Sequence, residues 1–341
     1  MKPRLILLIL LPFLLSCQHM PAGTPKTRQE QEDDIREAMF RYLFKQVALT
    51  QTQQAHAFYL AIYDTWKYDT KDPDTNLMKR FIGDAPPVKK ASQCTTEVET
   101  GLIFPRNSVP SYTDKTPSNW GIIFIVGNIE WITEDIVVAD GNYQKSWERS
   151  TYRICLLERK NSRWFIMSGI EPVHNENSTG FRLIPVRTVK KKPMAQEDDI
   201  REAVFRYQFK RNLGLQGQCA GAYYLTFIDT SGKNKDPDVK FMQRFTGNTP
   251  PIKGASQCTT GFGSFISCKG DTYQEFGVVD RKTGKTGLQF TVGEIDWLRK
   301  DFVVVDGSCY EYNMGAEGDL FYVIKESNRW VVKGKRMIWV S

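Results

Sequence analysis

Histidine is scarce in this 341-residue sequence, which holds three: His19, His56 and His174. None recurs at the matching place of the internal repeat described below, so a histidine-based triad or zinc site is not expected. CxxC, GxSxG, HExxH, Walker-type and dinucleotide glycine motifs do not occur, and GFGSF (261–265) is too short a glycine signal to cradle a phosphate. No catalytic residue, metal ligand or cofactor is therefore assigned. Long apolar runs are missing too. The longest, Leu5–Leu15, falls short of the roughly 20 residues a membrane span needs.

That run follows Lys2 and Arg4 and leads into Leu14, Leu15, Ser16 and Cys17, in the pattern of a secretory signal. Its end resembles the lipobox of bacterial lipoproteins. The resemblance covers the first eighteen residues and implies cleavage before Cys17, with acylation (palmitate among the chains) of its sulfur and amine. Several acyl chains anchor a protein durably without a spanning helix. Gln18 replaces the aspartate of the family's inner-membrane retention signal. That implies the outer membrane, periplasmic side or surface, in a Gram-negative host. An ordinary secretory peptide with a chance cysteine is the alternative. Cleavage removes Lys2 and Arg4 and lowers the formal charge from +7 to +5. This permits contact with anionic surfaces without demanding it, and no nucleic-acid partner is expected.

Residues 18–30 are polar and rich in turn formers, and read as a tether. QEDDIREAMFRYLFK (31–45) then recurs as QEDDIREAVFRYQFK (196–210). KDPD recurs at 71–74 and 235–238, ASQCTT at 91–96 and 255–260, and VGNIEWITEDIVVADG (126–141) answers VGEIDWLRKDFVVVDG (292–307). The offset stays between 164 and 166, so the chain reads as a tandem duplication of one domain, 31–172 and 196–341. Between the copies, 173–195 contains prolines and the basic run Lys190–Lys192, and reads as a linker.

On a helix, Ile35, Ala38, Met39 and Tyr42 share one face while Phe40 and Phe44 fall nearly opposite, so two sides should be gripped. Glu32, Asp33 and Asp34 are expected at the helix start, where the dipole favours acids. Glu32–Arg36 and Glu37–Arg41 have ion-pair spacing. AFYLAIY (57–63) and AYYLTFI (222–228) read as strands, Asp74 and Asp238 as caps of a short helix, and hairpins are expected about TED and KNS. The fold class is α+β: two tandem copies, each with one long N-terminal helix, a short helix and a curved antiparallel β-sheet. This arrangement weakly resembles the NTF2-like and cystatin-like group, whose members usually carry more helices ahead of the sheet. The resemblance implies a cone-shaped domain and brings no catalytic motif.

The remaining side chains set out the candidates. Arg80 and its repeat partner Arg244 lie on the short helix beside a phenylalanine, where an arginine can pair with a buried acid or hold an anionic ligand. Trp131 and Trp297, with Tyr143 and Tyr310 after a DG turn, either pack the core or line a pocket for a glycan, peptide or lipid. Apart from Cys17, an even six cysteines in an exported chain suggest disulfides, Cys94–Cys155 being the simplest pair. The preferred functional reading is a non-catalytic envelope lipoprotein whose two modules bind or scaffold an envelope protein, peptide or glycan. A pocket enzyme using a buried acid–arginine pair and an inhibitor or immunity-type protein acting through a sheet edge are the alternatives.

Overall fold

The computed structural model describes residues 26–50, 55–64, 69–96, 112–113, 121–145, 151–175, 178–185, 196–212, 220–228, 232–266, 271–310 and 315–340. Cys17, His19 and Lys190–Lys192 lie outside these residues. The chain is mixed α+β, mostly sheet, with two large sheets.

The first sheet follows α1 (Arg28–Thr50) and is built from β1 (Ala57–Asp64), β2 (Asp69–Lys71), β3 (Val88–Lys90), β6 (Gly121–Thr133), β7 (Ile136–Lys145), β8 (Thr151–Lys160), β9 (Arg163–Asn175) and β10 (Ser178–Pro185). Its order is β10-β9-β8-β7-β6-β1-β2, with β3 also beside β1. α2 (Thr75–Lys79) lies between β2 and β3, while β4 (Thr95–Thr96) and β5 (Tyr112–Thr113) pair separately. The second sheet follows α3 (Glu197–Arg211). It comprises β11 (Tyr223–Ile228), β12 (Asn234–Lys235), β13 (Ile252–Gly254), β16 (Thr286–Arg299), β17 (Phe302–Tyr310), β18 (Ala316–Glu326) and β19 (Arg329–Val340). α4 (Val239–Gln243) matches α2, and the hairpin β14 (Cys258–Ile266) and β15 (Thr272–Asp280) joins the sheet through β16.

Three local expectations are met in both copies. Asp74 Oδ1 accepts from Leu77 N–H at 2.8 Å and Asp238 Oδ1 from Phe241 N–H at 2.7 Å, capping the short helices. The hairpins turn on Asn161–Ser162 and Ser327–Asn328, all at positive φ as a tight two-residue turn requires. Both apolar sides of the first helix are buried: Met39 and Leu43 meet Gly141, while Phe44 packs on Phe58, Phe81 and Phe124.

Four expectations are corrected. α1 begins at Arg28, inside the expected tether, because Thr27 and Glu30 cap it reciprocally: Thr27 N–H to Glu30 Oε2 at 2.7 Å and Glu30 N–H to Thr27 Oγ1 at 3.2 Å. The acids Asp33 and Asp34 thereby fall in its second turn, whereas Glu197, Asp198 and Asp199 do occupy the first turn of α3. The sheets are not wholly antiparallel: β1 runs parallel to β6 and β3, and β11 parallel to β16 and β13. Residues 173–175 and 178–185, expected in the linker, complete β9 and form β10. The DG pairs are no turn either. Asp140–Gly141 and Asp306–Gly307 lie inside β7 and β17, where a glycine lets the helix approach: a Cβ on Gly141 would strike Met39.

The two sheets meet face to face. Ile136, Val138, Ile154 and Leu156 of the first form one buried cluster with Phe302, Val304, Leu320 and Tyr322 of the second. Strands carrying apolar residues on both faces follow from this, one face turned to the helix and the other to the partner sheet. Polar ties border the contact. Arg336 reaches Asp140, which also accepts from Tyr152 OH at 3.0 Å, and Arg299 Nη1 lies 2.7 Å from Glu158.

Candidate functional site

The repeated charges turn inward on one another. Arg80 Nη1 lies 2.7 Å from Asp34 and 3.2 Å from Glu37. Arg244 Nη1 lies 2.8 Å from both Asp199 and Glu202. Glu37 also holds Arg41 at 2.9 Å, and Arg41 Nη2 donates to the carbonyl of Arg80 at 2.8 Å. Arg206 repeats both contacts, with Glu202 at 2.7 Å and the Arg244 carbonyl at 2.8 Å. The founding helix and the short helix are thus riveted by one acid–arginine lattice in each copy. These guanidinium groups are partly buried and are answered by carboxylates.

Aromatic rings pack between the helix and the sheet in each copy. Phe44, Phe58 and Phe124 pack with centroids 4.7–4.9 Å apart in the first copy. Phe209, Tyr223 and Phe290 do so at 5.1–5.2 Å in the second. Trp131 meets Trp164 edge-to-face at 5.4 Å, and Trp297 meets Trp330 at 5.5 Å. Arg28 lies over Trp131 at 3.5 Å.

Tyr143 and Tyr310 are not counterparts. Tyr143 stands opposite Phe124, and the residue standing opposite the matching Phe290 is Cys309. Tyr143 therefore lies in the helix-side core, while Tyr310, one residue further on, points through the other face beside Tyr224 and Cys258. The expected Cys94–Cys155 bridge is not formed. Cys155 belongs to the cluster under α1 and Cys94 to the cluster on the opposite face.

KDPD and ASQC also recur for a structural reason. Asp72 accepts from Ser92 N–H at 3.0 Å and Oγ–H at 2.5 Å; Asp236 accepts from Ser256 at 2.9 and 2.5 Å. These pairs pin the segment after β3 or β13 to the outer face of each sheet.

On that outer face the copies diverge. The registers align Tyr59, beside Ile123, with Tyr224, beside Gln289; two residues on, Ala61 beside Ile125 aligns with Thr226 beside Thr291. Ala61 and Ile123, each 1% exposed, help form an apolar cluster with Cys94 in the first copy. In the second, Thr226 and Gln289 instead line a cleft of about 310 Å³ with Asn234, Asp236, Ser256, Cys258, Thr259 and Thr260. Burial pushes the Cys258 thiol up to about 11, so it stays protonated at neutral pH and is no nucleophile. The repeated KDPD and ASQCTT segments supply Asp236, Ser256, Cys258, Thr259 and Thr260 of this lining, whereas none of the arginines, tryptophans and tyrosines set out as pocket candidates lines it. The signal that finds it is a difference between copies (Ala61 against Thr226, Ile123 against Gln289), visible only once strand register aligns them.

Among the described residues no cluster of three or more metal-ligating side chains occurs, and no helix is long and apolar enough to cross a membrane. Compared with protein-family models, curated proteins and solved structures, the chain finds no match in any of the three.

Proposed function

We propose that this protein is a non-catalytic lipoprotein of the cell envelope, acylated at Cys17 and held at the outer membrane of a Gram-negative host, whose two similar NTF2-like units bind or scaffold a partner. The single observation that carries the non-catalytic reading is the lattice in which Arg80 faces Asp34 and Glu37, and Arg244 faces Asp199 and Glu202. The charged groups of this lattice neutralise one another, beside an interior packed with phenylalanine. A pocket enzyme needs an ionisable group aimed into an open cone. Duplication fits a scaffold: the second unit conserves the framework and changes the outer face.

Native mass spectrometry of the full-length protein, purified from its host in detergent, tests the reading. A co-purifying ligand or partner at defined stoichiometry, with no turnover of it, is the expected result. Conversion of the bound molecule into a product would overturn it.

A further inference from the structure

We infer that the outer-face cleft of the second unit is a saccharide site, without a counterpart among the described residues of the first unit; this rests on the binding-module reading above and names its ligand class. The cleft is made by exchange rather than addition. Where the first unit has Ala61, Ile123 and Ile125, the second has Thr226, Gln289 and Thr291. Polar side chains at sheet positions that tolerate apolar packing are costly unless something bonds to them. Thr226, fully buried, donates toward the carbonyls of Lys235 at 3.2 Å and Phe227 at 3.3 Å and forms the polar floor beneath the cleft, while Gln289, partly exposed, reaches into it.

The lining is neutral in effect. Among the described residues no lysine, arginine or histidine lines the cleft, and the one carboxylate among them, Asp236, is bonded by Ser256. The side chains of Asn234, Thr259 and Thr260 and the amide nitrogen of Gln289 make no hydrogen bond within the described residues. Amides and hydroxyls in that number suit a ligand dense in uncharged donors and acceptors, and an anion would find no cation to fix it. The volume, about 310 Å³, is at the small end of ligand sites, the size for a sugar ring or two.

Further along β14 from the lining residue Thr260 stands the second half of sugar recognition, an apolar platform for C–H faces. Phe262 is two residues beyond Thr260 on β14, so both side chains leave the same face of the strand. It is 75% exposed and meets Phe276 edge-to-face at 5.3 Å across the hairpin. An aromatic ring held in water by a neighbouring ring, beside unengaged hydroxyls, is the arrangement a pyranose would lie upon.

Saturation-transfer NMR on the full-length protein, in a detergent without sugar headgroups, tests this with glucose, galactose, mannose, N-acetylglucosamine and a tetra-alanine peptide as probes. Transfer to at least one sugar and none to the peptide is expected. Thr226→Ala with Gln289→Ile, which restores the first unit's residues, should weaken binding at least tenfold, and Phe262→Ala severalfold. Ile123→Gln in the first unit should leave binding unchanged. Phe262→Ala alters an exposed ring, so it remains informative should the double variant fold poorly. Absence of transfer to every sugar, transfer to the peptide instead, or full binding by both cleft variants would overturn the inference. A protein acylated in the envelope that binds no sugar overturns this inference alone, and one found unacylated in the cytoplasm overturns the tethered-module reading.

Discussion

Trp131 and Trp164 meet edge-to-face at 5.4 Å and 86°, and their repeat counterparts Trp297 and Trp330 do the same at 5.5 Å and 87°. Trp330 Nε1 additionally donates to Gln196 Oε1 at 3.2 Å, tying the final hairpin to the residue ahead of α3. Two large rings held in one geometry in both copies mark a packing device. Trp330→Ala should therefore destabilise the protein by about 3–5 kcal/mol, with Trp330→Phe costing less. Urea unfolding followed by far-ultraviolet circular dichroism measures both; a loss under 1 kcal/mol for the alanine variant would show that the pair is not structural.

The acid–arginine clamp makes a smaller claim. Arg80 and Arg244 are about three-tenths exposed, so solvent screens them. Arg80→Met should cost roughly 1 kcal/mol, diminishing in molar salt, and Asp34→Asn in the same background should add little. A double-mutant cycle in low and high salt gives the coupling directly.

Arg336 and Asp140 join the two sheets, and both are mostly buried. Removing the guanidinium with Arg336→Met leaves the Asp140 carboxylate beside Tyr152 and Glu130 without its cation, and should cost on the order of 3 kcal/mol. Asp140→Asn added to that variant should restore part of the loss, because the uncompensated charge is gone. Chemical denaturation of the two single variants and the double variant would show it.

Asp306 gives the pH dependence. Gly293 leaves room for its side chain at the bulge of β16, and burial, partly offset by the Glu294 N–H, pushes the carboxyl up to about 6. The folded state then binds this proton more tightly than the unfolded state. The group's contribution is fully present below its ordinary range near 4 and is lost as pH rises through about 6. Relative to Asp306→Asn, the wild type should gain on the order of 2 kcal/mol between pH 7 and pH 4. Thermal melts of both proteins across that range check the sign.

Local features were legible where a residue's role lies within a few positions of it. Asp74 caps three residues on, Glu37 meets Arg41 one turn on, and Asn161–Ser162 turn between two strands; each is short-range physics written in residue type. The sheet-to-sheet contact was not legible, because Ile136, Val138, Phe302 and Val304 face a partner more than a hundred residues away. Parallel pairing of β1 with β6 was hidden likewise, because partners such as Ala57 and Gly121 are 64 residues apart. The Tyr143–Tyr310 match failed by a single residue, enough to send the side chain through the opposite face of the sheet. The cleft escaped notice because likeness between copies marks the framework, whereas Thr226 and Gln289 are places where the copies differ.

The central claim is that two modules hang outside the cytoplasm from a lipid on Cys17. Intact-mass and N-terminal peptide mass spectrometry of the protein from host envelope fractions tests it most directly, alongside Cys17→Ala. Acylation predicts a mature chain that begins at Cys17 with fatty-acyl mass, and loss of the variant from the membrane fraction. A mature chain carrying no acyl mass, or a Cys17→Ala variant that stays in the membrane, would contradict it.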